Sequence, residues 1–106
     1  MRTPNRITNL GGFLEEDKII EDTWNLDYAF IKWVTPRLKK FIELTDGIPG
    51  EFADKEEEWE KILQDMLFGF EKSYTLIKSD DMLDFNDSDL KKSLELFTKY
   101  LGWLWW

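Results

Sequence analysis

A chain of 106 residues suits one domain, and the absence of cysteine and histidine excludes disulfide staples, ordinary zinc, copper or haem ligation, and Ser-His-Asp or Cys-His nucleophile chemistry. A net charge of −8 and a pI of about 4.5 disfavour direct binding to a nucleic-acid backbone and favour a partner with a basic surface. Hydrophobic residues at 42% beside charged residues at 34% make a globular mix, and six Trp, eight Phe and three Tyr supply a dense core from few elements.

Pro4, Asn5, Asn9, Gly11 and Gly12 punctuate the start, so residues 1–21 are expected to form an irregular N-terminal arm. Within it, 13–22 reads either as extended chain or as a short helical turn. No apolar h-region follows Arg2 and Arg6, and no apolar run approaches 18 residues, so neither a signal peptide nor a membrane span is expected. The default compartment is the cytoplasm, that of a bacterium or of an infected host cell.

The first clear helix is expected over 23–45. Trp24, Ile31, Val34, Leu38, Phe41 and Ile42 recur with a 3.6-residue period, and Asp22 or Thr23 offers an N-cap oxygen. Pro36 lacks the N–H of the ladder and should bend or break the helix. Gly47, Pro49 and Gly50 end it. A second helix is expected over 54–77, with Asp54 and Glu57 spaced as a capping box, acids at Glu56, Glu57 and Glu58 in the first turn, and a face of Trp59, Ile62, Leu63, Met66, Leu67 and Phe70. Gly69 is read as a slight weakness in that helix. After the acidic stretch 79–87, a third helix starts near Ser88 with Leu90, Leu94, Phe97, Leu101 and Leu104 in register.

The fold class is therefore all-α: one domain over 1–106, a small bundle of three main helices over 22–106, the first bent or broken at Pro36. The expected core is Trp24, Ile31, Val34, Leu38, Phe41, Trp59, Ile62, Leu63, Met66, Phe70, Leu90, Leu94, Phe97 and Leu101.

Chemistry-bearing constellations are few. Asp84, Asn86, Ser88 and Glu95 fall at positions 1, 3, 5 and 12 of a calcium loop, but Asp89 stands where glycine is required; capping of the third helix by Asn86, Asp87 or Ser88 explains the same residues. Glu15-Glu16-Asp17 and Glu56-Glu57-Glu58 read as solvated faces rather than paired catalytic acids, since adjacent helical residues point apart. Arg37, Lys39 and Lys40 form a short basic patch that neighbouring acids can neutralise. The end, Trp103-Leu104-Trp105-Trp106, reads as packing back on the bundle, as a partner interface, or as a membrane contact, the last disfavoured by the acidic charge.

The runs Asp22-Thr23-Trp24-Asn25-Leu26-Asp27-Tyr28 and Pro36-Arg37-Leu38-Lys39-Lys40-Phe41 come first. Then follow Gly47 and Pro49, Glu57-Glu58-Trp59, Met66-Leu67 with Phe70-Glu71, Leu96-Phe97 with Tyr100, and Leu104-Trp105. This pattern over residues 22–106 resembles a group of small bacteriophage proteins without established activity. The resemblance implies a phage origin and no catalytic residues; residues 1–21 and Trp106 lie outside it.

Together these readings point to a non-enzymatic accessory protein with no cofactor and no metal. It would bind and modulate a host or phage protein with a basic surface, such as a nucleic-acid-handling or defence enzyme, in the manner of an anti-CRISPR inhibitor. Direct nucleic-acid and membrane binding are not expected. Candidate partner-binding residues are Glu56, Glu57, Glu58, Asp80, Asp81, Asp84, Trp103, Trp105 and Trp106. The alternative is a virion or assembly component, a homo-oligomer or capsid contact made through the Trp-rich end.

Overall fold

The helical period of the sequence is realised as four α-helices, with no β-strand among the described residues. The computed structural model describes residues 10–105, with side chains from Glu16 onward. The chain divides into two compact units, Met1–Phe30 and Ile31–Trp106.

In the first unit, helix α1 spans Leu10–Asp22. The arm expected to be irregular over 1–21 is thus helical from Leu10, and residues 1–9 lie outside the described residues. Between Phe13 and Asp22 there is neither glycine nor proline, and Leu, Glu and Lys are good helix formers. A 3₁₀ turn, Thr23–Asn25, follows. Neither expected cap forms there: Asp22 makes no side-chain cap bond, and Thr23 Oγ1 donates back to the Ile20 carbonyl at 2.6 Å. Trp24, expected in the core, is 83% exposed. Three residues per turn carry its side chain off the stripe that a 3.6-residue helix would have continued.

Helix α2 spans Leu26–Leu44, crosses the unit boundary and continues through Pro36. Beside the proline, Arg37 Nη1 donates to the Trp33 carbonyl at 3.0 Å. In the second unit, α2 buries Ile31, Val34, Thr35 and Leu38, an unbroken i, i+3, i+4, i+7 stripe. Helix α3, Glu56–Lys78, buries Trp59, Leu63, Met66, Leu67, Gly69, Phe70 and Ser73. Helix α4, Ser88–Tyr100, buries Leu90, Ser93 and Tyr100 and passes into a 3₁₀ turn, Leu101–Trp103. Phe41, Ile62, Leu94 and Phe97 are half-buried. Leu101, expected in the core, is 55% exposed, turned outward at the start of that 3₁₀ turn. Leu67 and Tyr100 join the core beyond the expected set.

The α2 and α3 segments meet where Thr35 Oγ1 donates to the Phe70 carbonyl at 3.4 Å and Lys39 pairs with Glu71 at 3.5 Å. The α3–α4 contact is the most extensive between helices. At its centre Gly69 lies against α4: its N–H donates to Ser93 Oγ at 2.9 Å, and Ser93 Oγ donates to the Asp65 carbonyl at 3.4 Å. A Cβ on Gly69 would collide with the Asp89 carbonyl and Ser93 Oγ. The glycine is therefore the condition for close helix approach, and not merely a weak point in α3.

Helix ends account for most of the acidic connection. Asp80, the one non-glycine residue with positive φ among the described residues (61°), ends α3. Its N–H reaches the Ile77 carbonyl at 3.1 Å, and the Asp81 N–H reaches Leu76 at 2.8 Å, the paired bonds of a Schellman cap. Asp80→Gly removes the left-handed strain and is expected to stabilise the fold by about 0.5–1 kcal/mol, read as a higher urea midpoint at unchanged slope. Asp84 Oδ1 accepts from Asn86 N at 2.9 Å. Asp87 caps α4, Oδ2 accepting from the N–H groups of Asp89 and Leu90, both at 3.1 Å. Because α4 starts at Ser88, Ser88 and Glu95 are helical and no calcium loop forms. At the other end, Lys55 is the N-cap residue of α3 and makes no side-chain cap bond. The capping box expected from Asp54 is absent because the turn after the 3₁₀ segment Gly50–Phe52 carries Asp54 one residue short of the cap.

Lys72 Nζ bridges Asp87 Oδ1 and Asp89 Oδ2, both at 2.9 Å. Hydrogen bonding to Lys72, then to the Leu90 N–H, holds the Asp87 carboxyl below the usual carboxylate range, and hydrogen bonds to Asp87 and Asp89 raise Lys72 above the usual ammonium range. The carboxylate contribution is complete above the unfolded pKa of about 3.9 and is lost as pH falls through the depressed folded value. The ammonium contribution is complete below about 10.4 and is lost as pH rises through the raised folded value. The Asp87→Asn chain is expected to lose the steeper part of the acid-side fall in thermal midpoint between pH 5 and the acid limit, measured by far-UV circular dichroism.

Candidate functional site

Four rings from separated parts of the second unit meet where α3 begins and α4 ends. Phe52 leads into α3, Trp59 completes its first turns, Tyr100 closes α4, and Trp103 ends the following 3₁₀ turn. Trp103 stands 5.2 Å from Tyr100, 5.9 Å from Phe52 and 6.2 Å from Trp59, centroid to centroid. Trp59 lies 5.7 Å edge-on to Tyr100. These spacings and tilts suit ring quadrupoles, and each such pair adds about 0.5–1.5 kcal/mol beyond burial.

Beside this cluster the chain leaves α2 through residues 45–50, where Gly47, Pro49 and Gly50 favour ending the helix. The loop and the rings line an open groove of about 630 Å³, with Phe41, Trp59, Trp103, Ile48 and Pro49 as its apolar lining and Asp46, Glu51 and Trp105 as its exposed residues. Trp59 is 3% exposed and Trp105 76%, so one indole anchors the groove to the core while another stands at its mouth.

The residues expected to bind a partner are thereby divided. Trp103 and Trp105 belong to the groove; Trp106 lies outside the described residues. Glu56, Glu57 and Glu58 are exposed in the first turn of α3, immediately before Trp59, where the helix dipole favours them. Asp80, Asp81 and Asp84 are exposed beyond the opposite end of α3, roughly 35 Å away at 1.5 Å per residue over 23 residues. The acids singled out in the sequence therefore form two separate groups, and the second is occupied with terminating α3 and shaping the turn into α4. Asp46 and Glu51 were not anticipated. The Gly47-Ile48-Pro49-Gly50 run signals a loop but not what it faces, since Trp103 and Trp105 are more than fifty residues away in sequence.

The basic patch is engaged within the chain, with two of its three cations paired to carboxylates. Arg37 stacks over Trp33 at 4.8 Å, Lys39 pairs with Glu71, and Lys40 pairs with Glu43 at 2.8 Å. Hydrogen bonding to Lys40 pulls the Glu43 carboxyl down. A second cleft of about 600 Å³ beside Pro36 holds Lys39, Lys72 and Lys78, each engaged: Lys39 with Glu71, Lys72 with Asp87 and Asp89, and Lys78 over Tyr74 at 5.4 Å. Among the described residues no cluster of three or more acids has metal-binding geometry, and no helix is long and apolar enough to cross a membrane. Compared with known proteins, the chain matches no family model, no curated protein and no solved structure.

Proposed function

We propose that the chain is a binding protein: a small acidic accessory protein of bacteriophage type that attaches to a basic surface of a host protein and modulates it. A nucleic-acid-handling or defence enzyme, inhibited in the anti-CRISPR manner, is the target class that the charge favours. The observation that carries the reading is the concentration of negative charge beside an open aromatic groove. Between Asp46 and Trp59 the chain has Asp46, Glu51, Asp54, Glu56, Glu57 and Glu58 against Lys55 alone. Such a surface steers a basic partner and can occupy a site meant for phosphates. The phage assignment and the host cytoplasm as its location rest on the sequence resemblance.

The test is affinity capture from bacterial lysate with the wild type and with a Glu56→Gln, Glu57→Gln, Glu58→Gln chain, followed by assay of the purified captured protein. The reading requires a partner whose capture falls with salt and with the three substitutions, and whose activity changes when the chain is added. Capture of nothing in a salt-dependent way overturns it.

A second reading has its own support. Leu101 and Trp105 are 55% and 76% exposed in the segment that closes the chain, which suits a virion or assembly contact between copies. Light scattering on the full chain and on one lacking Trp105 and Trp106 separates the two: an oligomer that becomes a folded monomer on truncation favours assembly.

A further inference from the structure

The groove has the lining of a site for a flat cation. An indole face attracts a guanidinium through its quadrupole, and a carboxylate at the same mouth supplies the counter-charge and a planar bidentate acceptor. Trp105, Asp46 and Glu51, all exposed, line this groove together with the less exposed Trp103 and Trp59. The chain itself uses the same contact elsewhere, Arg37 over Trp33 at 4.8 Å.

Glu43, Asp65, Glu71, Asp87 and Asp89 are all paired with lysines of this chain. Asp46 and Glu51 enter none of the ion pairs among the described residues. Glu56, Glu57 and Glu58, in the first turn of α3 before Trp59, likewise enter none of the ion pairs among the described residues.

We infer that this groove takes an arginine side chain from a basic segment of the partner, its guanidinium stacked on Trp105 and paired with Asp46 or Glu51. The inference rests on the reading of the chain as a binder of basic surfaces and names the place and the group recognised. A volume of about 630 Å³ is within the range of specific ligand pockets and exceeds one side chain, so flanking residues of an extended segment fit along Ile48 and Pro49. Arginine is preferred over lysine because its planar guanidinium stacks flat on an indole while pairing bidentately with a carboxylate, whereas an ammonium acts as a compact point charge.

The experiment is calorimetric titration of the full chain with an acetylated peptide of alternating glycine and arginine. Its lysine counterpart and a neutral proline-alanine peptide serve as comparators. Asp46→Asn with Glu51→Gln is compared with Asp81→Asn with Asp84→Asn, a double change of equal charge at the far end of α3; all four residues are exposed. The arginine peptide is expected to bind the wild type at least several-fold tighter than the lysine peptide. The groove pair should weaken it about tenfold, and the distal pair less than about twofold. Trp105→Ala should weaken it roughly fivefold, with most of the affinity returning in Trp105→Phe, which keeps a flat ring. Equal weakening by the two double variants means attraction by net charge alone and overturns the inference, as does equal affinity for lysine or tighter binding of the proline peptide. No binding of the arginine peptide, with salt-dependent capture of a partner retained, overturns the inference and leaves the function standing; loss of both overturns the function as well.

Discussion

Gly69→Ala is expected to lower the free energy of unfolding by about 2–3 kcal/mol, although alanine is the better helix former. On helix propensity alone the change would stabilise α3 by about 1 kcal/mol. Against this stands the new methyl group, which would overlap the Asp89 backbone carbonyl and Ser93 Oγ. Backbone cannot rotate aside as a long side chain can, so α4 must retreat. Retreat lengthens the bond from Gly69 N–H to Ser93 Oγ, now 2.9 Å, and loosens the packing around Leu90, which is 0% exposed. Overpacking of this kind typically costs 1–3 kcal/mol, and a buried hydrogen bond adds about 1 kcal/mol. The cost exceeds the propensity gain, and the thermal midpoint should fall by roughly 10 °C or more for a chain of this size. An unchanged or raised urea midpoint would refute the close approach of α3 and α4 at this glycine.

Phe70→Ala should cost more, about 3–5 kcal/mol. Phe70 is 0% exposed, its ring sits edge-on to Phe97 at 5.8 Å, and its carbonyl receives Thr35 Oγ1. The substitution empties the middle of the core where residues of α3 and α4 pair. Domains of this size hold about 5–15 kcal/mol in total, so the variant is expected to populate unfolded chain measurably at 37 °C. Trp24→Ala provides the contrast. At 83% exposure it should stay within about 0.5 kcal/mol of wild type. If the two variants were equally destabilised by urea titration, the assignment of Phe70 to the core and Trp24 to the surface would be wrong.

That contrast also marks how far the sequence was legible. Within helices the apolar period named most of the buried residues: Ile31, Val34 and Leu38 in α2, Trp59, Leu63, Met66 and Phe70 in α3, Leu90 in α4; Phe41, Ile62, Leu94 and Phe97 are only half-buried, and Leu67 is buried outside the expected set. The period failed outright, leaving expected core residues exposed, where the helix type changes. Trp24 and Leu101 each belong to a 3₁₀ turn flanking an α-helix, and a change from 3.6 to 3.0 residues per turn is invisible in a list of apolar positions. Tyr100, the last residue of α4, lies outside the expected core, yet its ring closes the aromatic cluster. Intrinsic propensity marks Gly69 as a weak point, whereas its role depends on the residues across from it, Asp89 and Ser93. The groove was the least legible feature. It joins Phe41, the loop at 46–51, Trp59 and the final tryptophans, and no local rule brings those stretches together. The acidic runs, conspicuous in sequence, split to opposite ends of α3 once the helix length is fixed.

The pairing of α3 with α4 has a consequence for how the molecule assembles. Only residues 79–87 separate the two helices, so their contact closes a short loop at small entropic cost. It carries its own fastenings: the Schellman turn at Asp80, the Asp87 cap, the Lys72 bridge and the Gly69–Ser93 bond. The α2 segment of the second unit is tied to α3 by fewer bonds, among them one through Thr35 and one through Lys39. Topology of this kind makes the α3–α4 hairpin the early cooperative unit, formed in microseconds to milliseconds, with the α2 segment docking afterwards. Its amides should then be the slowest in the chain to exchange with solvent deuterium, and the segment bearing Pro36 should open first.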